Sequence, residues 1–302
     1  MKKFLDEIKN GKCRKIILDT DTYNEVDDQF ALSYTLLSDK VKLLSVNAAP
    51  YLNDRSTSPL DGMEKSYNEI LRLLDFTGKS VPVYKGSPRF MTEADLKALG
   101  SDLDTPAARN IINTVTDSSD PVTVVAIGAI TNVAAAILIK PEICNNMRVV
   151  WLGGHGFEWK NTQEFNMHQD TFAASVIFDS FVPFLQIPCM GVASYLATTV
   201  AELKQQIGGK NELCDYLVDT VASYQQGRSD ARAWSKVIWD ISAVTAITIP
   251  YAFDIVAVPR PYILPQGFYA HDDARAPMLY ARWLNRDAIF GEVFSVIESL
   301  SK

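Results

Sequence analysis

The chain has 302 residues, of which 47% are hydrophobic and 22% charged, and its formal net charge is -7. This balance is typical of a folded globular enzyme and excludes a disordered or fibrous chain. Acidic residues are spread along the whole length, whereas nucleic-acid binding needs a concentrated basic face. We therefore expect neither a nucleic acid nor a membrane surface as a partner.

The N-terminal segment and the cysteines bear on the cellular compartment. Residues 1–15 alternate charged and apolar side chains and contain no apolar run long enough for a secretory signal, which predicts a cytoplasmic protein. Four cysteines lie far apart and lack the close pairing of zinc or redox sites. We interpret them as reduced structural thiols: Cys13, Cys144, Cys189 and Cys214.

Short apolar strands alternate with helices through the first half of the chain. Apolar runs predict strands at residues 15–19, 42–49, 81–86, 122–127 and 148–153. Helical spacing predicts helices at residues 27–38, 61–76, 105–118 and 131–139. We expect Gly78 to end the second of these helices, and Thr105 and Pro106 to begin the third as N-cap and first helical residue.

The whole pattern predicts an α/β fold. Strands buried on both faces that alternate with helices indicate a doubly wound, mostly parallel sheet flanked by helices, with a Rossmann-like core. After about residue 190 the pattern becomes mainly helical, most clearly at residues 199–226, 237–248 and 286–300. One continuous sheet can organise a chain of this length, so we predict a single domain over residues 1–302. Ligands of such sheets bind beyond the carboxyl ends of the strands.

Five carboxylates follow the first predicted strand within ten residues. They are Asp19, Asp21, Glu25, Asp27 and Asp28 in the segment IILDTDTYNEVDDQFAL. Carboxylates this close repel one another, and a hard cation such as calcium or magnesium, which prefers oxygen ligands, removes that cost. A helix N-terminus accounts for one or two of them as capping residues, but not for all five. The cluster therefore predicts a divalent-metal site.

Three later segments also contain polar residues that could belong to the site, two of them after predicted strands and one in a predicted helix. VVAIGAITNVAA ends a buried strand at Gly128 and turns into a helix at Thr131. GGHGFEWKNTQEFNMHQDTFAA follows another strand, and its Asn161, Glu164 and Asn166 fit the recognition of hydroxyl groups. SKVIWDISAVTAI places Asp240 within an apolar helix, where a buried charge needs a partner such as a metal.

These segments, in this order, resemble the nucleoside hydrolase family, the inosine-uridine-preferring nucleoside N-ribohydrolases and their purine-specific relatives. The resemblance spans nearly the whole chain. It includes the family's DTDxxxDD motif, its IGPLTN segment (here IGAITN), its EFN followed by a helix (here EFNMHQDTFAASVIF), and DAIFGEVF near the C-terminus.

The resemblance implies calcium-dependent hydrolysis of ribonucleosides to free base and ribose, in purine metabolism and nucleoside salvage. It implies that Asp21 binds calcium and acts as the general base, and that Asp28, the carbonyl of Thr131 and Asp240 complete the calcium shell. Asp27, Glu164 and Asn166 would hold ribose hydroxyls, an assignment to which the polar loop adds Asn161. A homodimer or homotetramer is expected from the family.

Two departures from the family pattern are informative. The family usually has three residues between its second and third aspartates, whereas TYNEV supplies five here. Trp239 stands where broad-specificity members carry histidine and purine-specific members carry tryptophan. We therefore predict that Trp239 stacks on a purine base and favours its protonation as it leaves, because an aromatic face stabilises a cationic ring. A core position beside Asp240 is the alternative reading of this residue.

Two other functions stay open at this stage. ILDTDT after a strand is similar to the DxDxT motif of haloacid-dehalogenase-like phosphatases, with Asp19 as nucleophile, although the threonine falls at 22 rather than 23. A nucleoside- or ribose-binding protein that lost turnover is the other possibility, since the first loop is longer than in the family. The sequence leaves open which ribosylated compound is the substrate and which group protonates the leaving base.

Overall fold

The structure, a computed structural model, describes residues 1–226, 230–264 and 267–300. Its strands are β1 Lys15–Thr20, β2 Lys42–Ala48, β3 Val83–Lys85, β4 Val122–Ala126, β5 Met147–Leu152, β6 Phe184–Ile187, β7 Ala197–Thr198, β8 Lys236–Val237, β9 Phe253–Pro259, β10 Tyr262–Leu264, β11 Phe268–Ala270 and β12 Pro277–Leu284. Its α-helices are α1 Lys2–Lys9, α2 Asp28–Leu37, α3 Pro59–Thr77, α4 Pro106–Asp117, α5 Thr131–Ile139, α6 Phe165–Gln169, α7 Thr171–Asp179, α8 Val200–Gln206, α9 Glu212–Gln226, α10 Ile241–Thr248 and α11 Arg286–Glu298.

Within the described residues, eight strands form a central sheet in the order β3-β2-β1-β4-β5-β6-β12-β9. Neighbours from β3 to β12 pair in parallel, and the edge strand β9 pairs antiparallel with β12. The chain first builds outward from β1 through β2 and β3, and then crosses to β4 on the other side of β1. The predicted α/β fold with a mostly parallel sheet flanked by helices is confirmed, and its strand order reverses between β1 and β4, where such sheets bind ligands.

Hydrophobic cores cover both faces of the sheet. Successive side chains of a strand point to opposite faces. Ile16 and Leu18 of β1 therefore pack in one core with Phe30 of α2, while Ile17 packs in the other with Ile111 of α4. Burial on both faces explains why β1 is a continuous apolar run.

Predicted helix ends are confirmed where a local capping signal exists. Gly78 ends α3 in the left-handed conformation with φ 61°, which costs glycine little. The Thr105 side chain accepts a hydrogen bond from the backbone N–H of Ala108, and Pro106 is the first residue of α4.

The second half differs from its expectation. Two strands of the central sheet, β9 and β12, lie after residue 190, where we expected mainly helix. Strand β9 is an edge strand of mostly intermediate burial, although its sequence FDIVAVP contains an apolar run. The predicted helix at 199–226 is two helices, α8 and α9, because the chain turns at Gly209 with a φ of 72°. Among the described residues, no helix has the length and apolar character needed to cross a membrane.

Candidate active site

The acidic cluster lies at the carboxyl end of β1. Asp19 is in the strand, Asp21 follows its end, and Asp27 and Asp28 stand at the start of α2. Asp240 joins them from the residue that precedes α10. All five side chains are buried, at 0 to 4% exposure. The fold thus brings together the predicted metal ligands Asp21, Asp28 and Asp240, although more than 200 residues separate Asp240 from the others.

Several carboxylate oxygens of this cluster are buried without a hydrogen-bond donor among the described residues. Both oxygens of Asp21 and Oδ2 of Asp28 are in this state, while Oδ1 of Asp28 accepts a hydrogen bond from the Thr20 hydroxyl at 2.5 Å. One oxygen from each of Asp27, Asp28 and Asp240 lies within 4.8 Å of the others. Buried charges without partners are costly, and an oxygen-only donor set suits a hard cation. The residues therefore fit a divalent metal ion.

Burial and mutual repulsion raise the pKa values of these carboxyl groups. Burial, followed by the charge of Asp27, raises the pKa of Asp28 to about 7. Burial, followed by the charge of Asp28, raises the pKa of Asp21 well above its ordinary value, and Asp240 is shifted in the same direction for the same reasons. A nearby dication favours the charged form of each group and opposes these shifts.

Asp27 differs from its neighbours because each of its two oxygens accepts a hydrogen bond from the protein. Its Oδ1 accepts a hydrogen bond from Nζ of Lys236 at 3.0 Å, and its Oδ2 accepts one from the backbone N–H of Trp239 at 3.0 Å. Lys236 also donates to Oε2 of Glu25 at 2.6 Å. Burial alone would lower the pKa of Lys236, but the charges of Asp27 and Glu25 raise it above its ordinary value.

A pocket of ≈ 400 Å³ opens onto this cluster. Its walls include Asp27 and Asp240 from the cluster, Glu164 and Asn166 from the polar loop, and Trp239. The same pocket is lined by Ile127, which follows β4, and by Leu152, the last residue of β5. Five of the predicted site residues therefore line one cavity at the switch point of the sheet.

Glu164 and Asn166 are held rigidly by the backbone around them. Glu164 caps α6, accepting hydrogen bonds from the N–H groups of Asn166 and Met167, and it also accepts one from Gly154 at 2.7 Å. The Asn166 amide donates to the carbonyls of Ile127 at 3.1 Å and Leu152 at 2.9 Å. These contacts fix both side chains against the ends of two central strands.

Gly128 allows the chain to approach the cluster closely. A Cβ at this position would lie 2.9 Å from Cγ of Asp21, closer than van der Waals contact permits. The IGAITN segment therefore needs glycine here for Asp21 to occupy its place.

Four predicted residues are not among those that line the pocket: Asp21 and Asp28, which belong to the acidic cluster, and Thr131 and Asn161. Thr131 begins α5, and its hydroxyl donates a hydrogen bond to Oδ2 of Asp170 at 2.7 Å. The residue of this segment that lines the pocket is Ile127, which follows β4. Asn161 accepts a hydrogen bond from the N–H of Gln163 at 3.0 Å within the polar loop. The metal role of Thr131 and the substrate role of Asn161 stay predictions.

Several residues of the site were not predicted from the sequence, among them His155 and Lys236. His155 lines the pocket half-buried, and burial lowers its pKa, which favours the neutral imidazole. Lys236 forms a buried ion pair with Asp27, which lines the pocket. A signal for Lys236 was present, because a lysine in the apolar segment KVIWDISAV requires a buried partner. No comparable signal marks His155.

Comparisons with known proteins agree with this geometry. A family model described as inosine-uridine preferring nucleoside hydrolase matches residues 16–261. The chain is 27% identical over 194 residues to the pyrimidine-specific ribonucleoside hydrolase RihB of Escherichia coli, an alignment that spans 58% of this chain and 59% of that relative.

Solved structures show the same fold over nearly the whole chain. A purine-preferring ribonucleoside hydrolase from Gardnerella vaginalis superposes with a TM-score of 0.77 at 24% identity, covering 95% of this chain and 99% of that one. A plant nucleoside hydrolase superposes with a TM-score of 0.76 at 20% identity, with the same coverage. The family resemblance predicted from the sequence motifs is confirmed: the chain belongs to the inosine-uridine preferring nucleoside hydrolase family.

Proposed function

We propose that this protein hydrolyses the N-glycosidic bond of ribonucleosides in a calcium-dependent reaction, releasing free base and ribose. The observation that carries the proposal is the set of unpaired, buried carboxylate oxygens on Asp21 and Asp28, next to a pocket of nucleoside size. Membership of a nucleoside hydrolase family supports the reaction class. Asp21, Asp28 and Asp240 would hold the cation. When bound, calcium would lower the pKa of a water molecule and orient it for attack.

Residues of this chain would accept the proton, bind the ribose and stabilise the transition state. Asp21, with both oxygens unpaired, is placed to accept the proton of the attacking water. Asp27, Glu164 and Asn166 are placed to receive ribose hydroxyls, because each is held by other parts of the protein and faces the pocket. Glycosidic bonds break through an oxocarbenium-like transition state, and the negative cluster favours the positive charge that develops on the sugar.

The proposed purine preference depends on Trp239. Its half-buried ring lines the pocket, and its backbone N–H is tied to Asp27, which fixes its position beside the sugar site. The Gardnerella vaginalis enzyme is named as purine-preferring and the Escherichia coli relative as pyrimidine-specific, so the fold accommodates both classes of base.

The proposal is tested by incubating the purified protein and calcium with a panel of purine and pyrimidine ribonucleosides and measuring free base and ribose. We expect release from purine ribonucleosides, little from pyrimidines, and none after chelation of the metal. Binding of nucleosides without any release would instead favour a ribose- or nucleoside-binding protein, the alternative that the longer first loop leaves open.

Replacing Trp239 with alanine is expected to lower kcat/KM for purine ribonucleosides by roughly 10- to 100-fold, because stacking on an aromatic face contributes about 1–3 kcal/mol per base. Trp239→Phe keeps an aromatic face and should retain most of the activity. Steady-state kinetics with one purine and one pyrimidine ribonucleoside measure the effect. An equal loss for both bases would show that the tryptophan does not select purines.

The phosphatase alternative finds no support in the structure. Asp19, its required nucleophile, is fully buried, and its Oδ2 accepts a hydrogen bond from the Asn132 amide at 3.0 Å. Metal-dependent phosphate release from a generic ester remains the measurement that would favour it. The role in nucleoside salvage and the homodimer or homotetramer are part of the same proposal and rest on the family resemblance, while the cytoplasmic location stays a prediction.

A further inference from the structure

The first loop of the site is longer than the family motif and contributes a side chain of its own. Five residues separate Asp21 from Asp27, two more than in DTDxxxDD. The longer loop carries Glu25, whose Oε2 accepts a hydrogen bond from Lys236 at 2.6 Å and whose Oε1 accepts one from the Tyr224 hydroxyl at 2.9 Å. The extra length is therefore packed against β8 and α9 and forms part of the site.

Lys236 is enclosed by acceptors of its own chain. Its side chain is 6% exposed, and Nζ donates to Oε2 of Glu25, to Oδ1 of Asp27 and to the carbonyl of Val237 at 2.7 Å. An ammonium group has three donors, and all three are used. Lys236 therefore has no donor left for a substrate and can act only through the groups that it holds.

Asp27 connects Lys236 to the segment that contains Trp239 and Asp240. Its second oxygen accepts the backbone N–H of Trp239, the residue before Asp240. The chain Glu25–Lys236–Asp27 thus links the first loop to the segment that carries the tryptophan and the last acidic residue. Two different donors, Nζ of Lys236 on one oxygen and the backbone N–H of Trp239 on the other, hold the Asp27 carboxylate in a single orientation.

We infer that Lys236 is a positioning residue, held between Glu25 of the longer loop and Asp27, that fixes the Asp27 carboxylate for the ribose hydroxyls. This inference rests on the proposed function, because Asp27 is assigned to the sugar there. It also accounts for the longer loop, which supplies the second carboxylate that the buried lysine needs. The expected signature is a loss of discrimination at the sugar hydroxyl rather than a general loss of activity.

The test compares Lys236→Met, Glu25→Gln and the control Lys40→Met with the unmodified protein. Lys40 also forms an ion pair, with Glu292 at 2.6 Å, but it lies outside the pocket. Two readouts are used: kcat/KM for a purine ribonucleoside and its 2′-deoxy counterpart, and calorimetric binding of D-ribose and 2-deoxy-D-ribose, which needs no turnover. Circular dichroism checks that each variant is folded.

For Lys236→Met we expect kcat/KM for the ribonucleoside to fall about 100-fold, the size of effect that a small misplacement of a substrate-holding group produces. The value for the 2′-deoxy substrate should fall much less, and the preference for ribose over 2-deoxyribose in binding should shrink in parallel. Glu25→Gln should lower the ratio of the two kcat/KM values and the ratio of the two sugar affinities by a smaller factor. Lys40→Met should change neither ratio.

Equal losses for the two substrates in a folded Lys236→Met protein, or an unchanged ratio, would overturn the inference. If Lys236→Met does not fold, the ratio of kcat/KM for the ribonucleoside to that for the 2′-deoxy substrate in Glu25→Gln tests the inference by the same criterion. If the unmodified protein releases no base but binds ribose in preference to 2-deoxyribose, the proposed function fails and the binding ratios still test Lys236. A protein that neither releases base nor distinguishes the two sugars contradicts both.

Discussion

Replacing Asp28 with asparagine is expected to abolish calcium binding and to lower kcat/KM for base release by about 1000-fold or more, because Lewis-acid assistance is worth several kcal/mol and each 1.36 kcal/mol is tenfold in rate. Asp28 is fully buried, with one oxygen held by Thr20 and the other without a donor. An amide at this position supplies a weaker, neutral ligand and directs N–H donors at the cation. Asparagine keeps the shape of the side chain, so the fold should be retained.

Calcium titration by calorimetry and steady-state release of base are the two measurements. Glu69→Gln is the matched control, since Glu69 is a carboxylate at 3% exposure that accepts hydrogen bonds from Gln29 and Tyr216 and does not line the pocket. We expect this control to bind calcium with unchanged affinity. An Asp28→Asn protein that is folded and binds calcium as tightly as the unmodified chain would remove Asp28 from the metal site.

Site residues that are close in sequence could be predicted, because residues a few positions apart in the chain are also close in space. Asp19, Asp21, Asp27 and Asp28 lie within ten residues after a buried strand, and any fold that buries the strand must place them at its end. Asp240 could be predicted for a different reason, since a carboxylate in the apolar segment SKVIWDISAVTAI needs a partner.

Contacts between distant segments could not be predicted in the same way. The ion pair of Lys236 with Asp27 joins residues 209 positions apart, and its partner depends on how β8 packs against the first loop. Strand β9 (FDIVAVP) is an edge strand of mostly intermediate burial, and β12 (PMLYARWL) has a short buried run followed by exposed residues. Both were missed because periodicity alone does not distinguish a short apolar run in a strand from one in a helix. Ile127 lines the pocket and its carbonyl accepts a hydrogen bond from Asn166, but every residue has a backbone carbonyl, so no residue type could have indicated this contact.

The acidic cluster also links metal binding to the stability of the fold. In the metal-free protein the pKa of Asp28 is raised to about 7 by burial and by Asp27, above the ordinary value of 3.8. The folded state therefore retains a proton that the unfolded chain releases between these two values. The resulting stability is fully present below about pH 4 and is lost as the pH rises through about 7. Calcium replaces the proton, so its stabilising effect must grow over the same range.

We therefore expect calcium to raise the melting temperature little at pH 5 and most at pH 8, by on the order of 10 °C, since a domain of this size gains about 2–4 °C per kcal/mol. Thermal unfolding followed by circular dichroism, with calcium or with a chelator at each pH, measures the difference. Comparing the two conditions at one pH cancels the titration of carboxylates elsewhere, such as Asp95, which is paired with Arg89. In Asp28→Asn calcium should not raise the melting temperature at any pH. A calcium increment as large at pH 5 as at pH 8 would show that the ion binds without displacing protons from these buried carboxylates, and would place it outside the cluster.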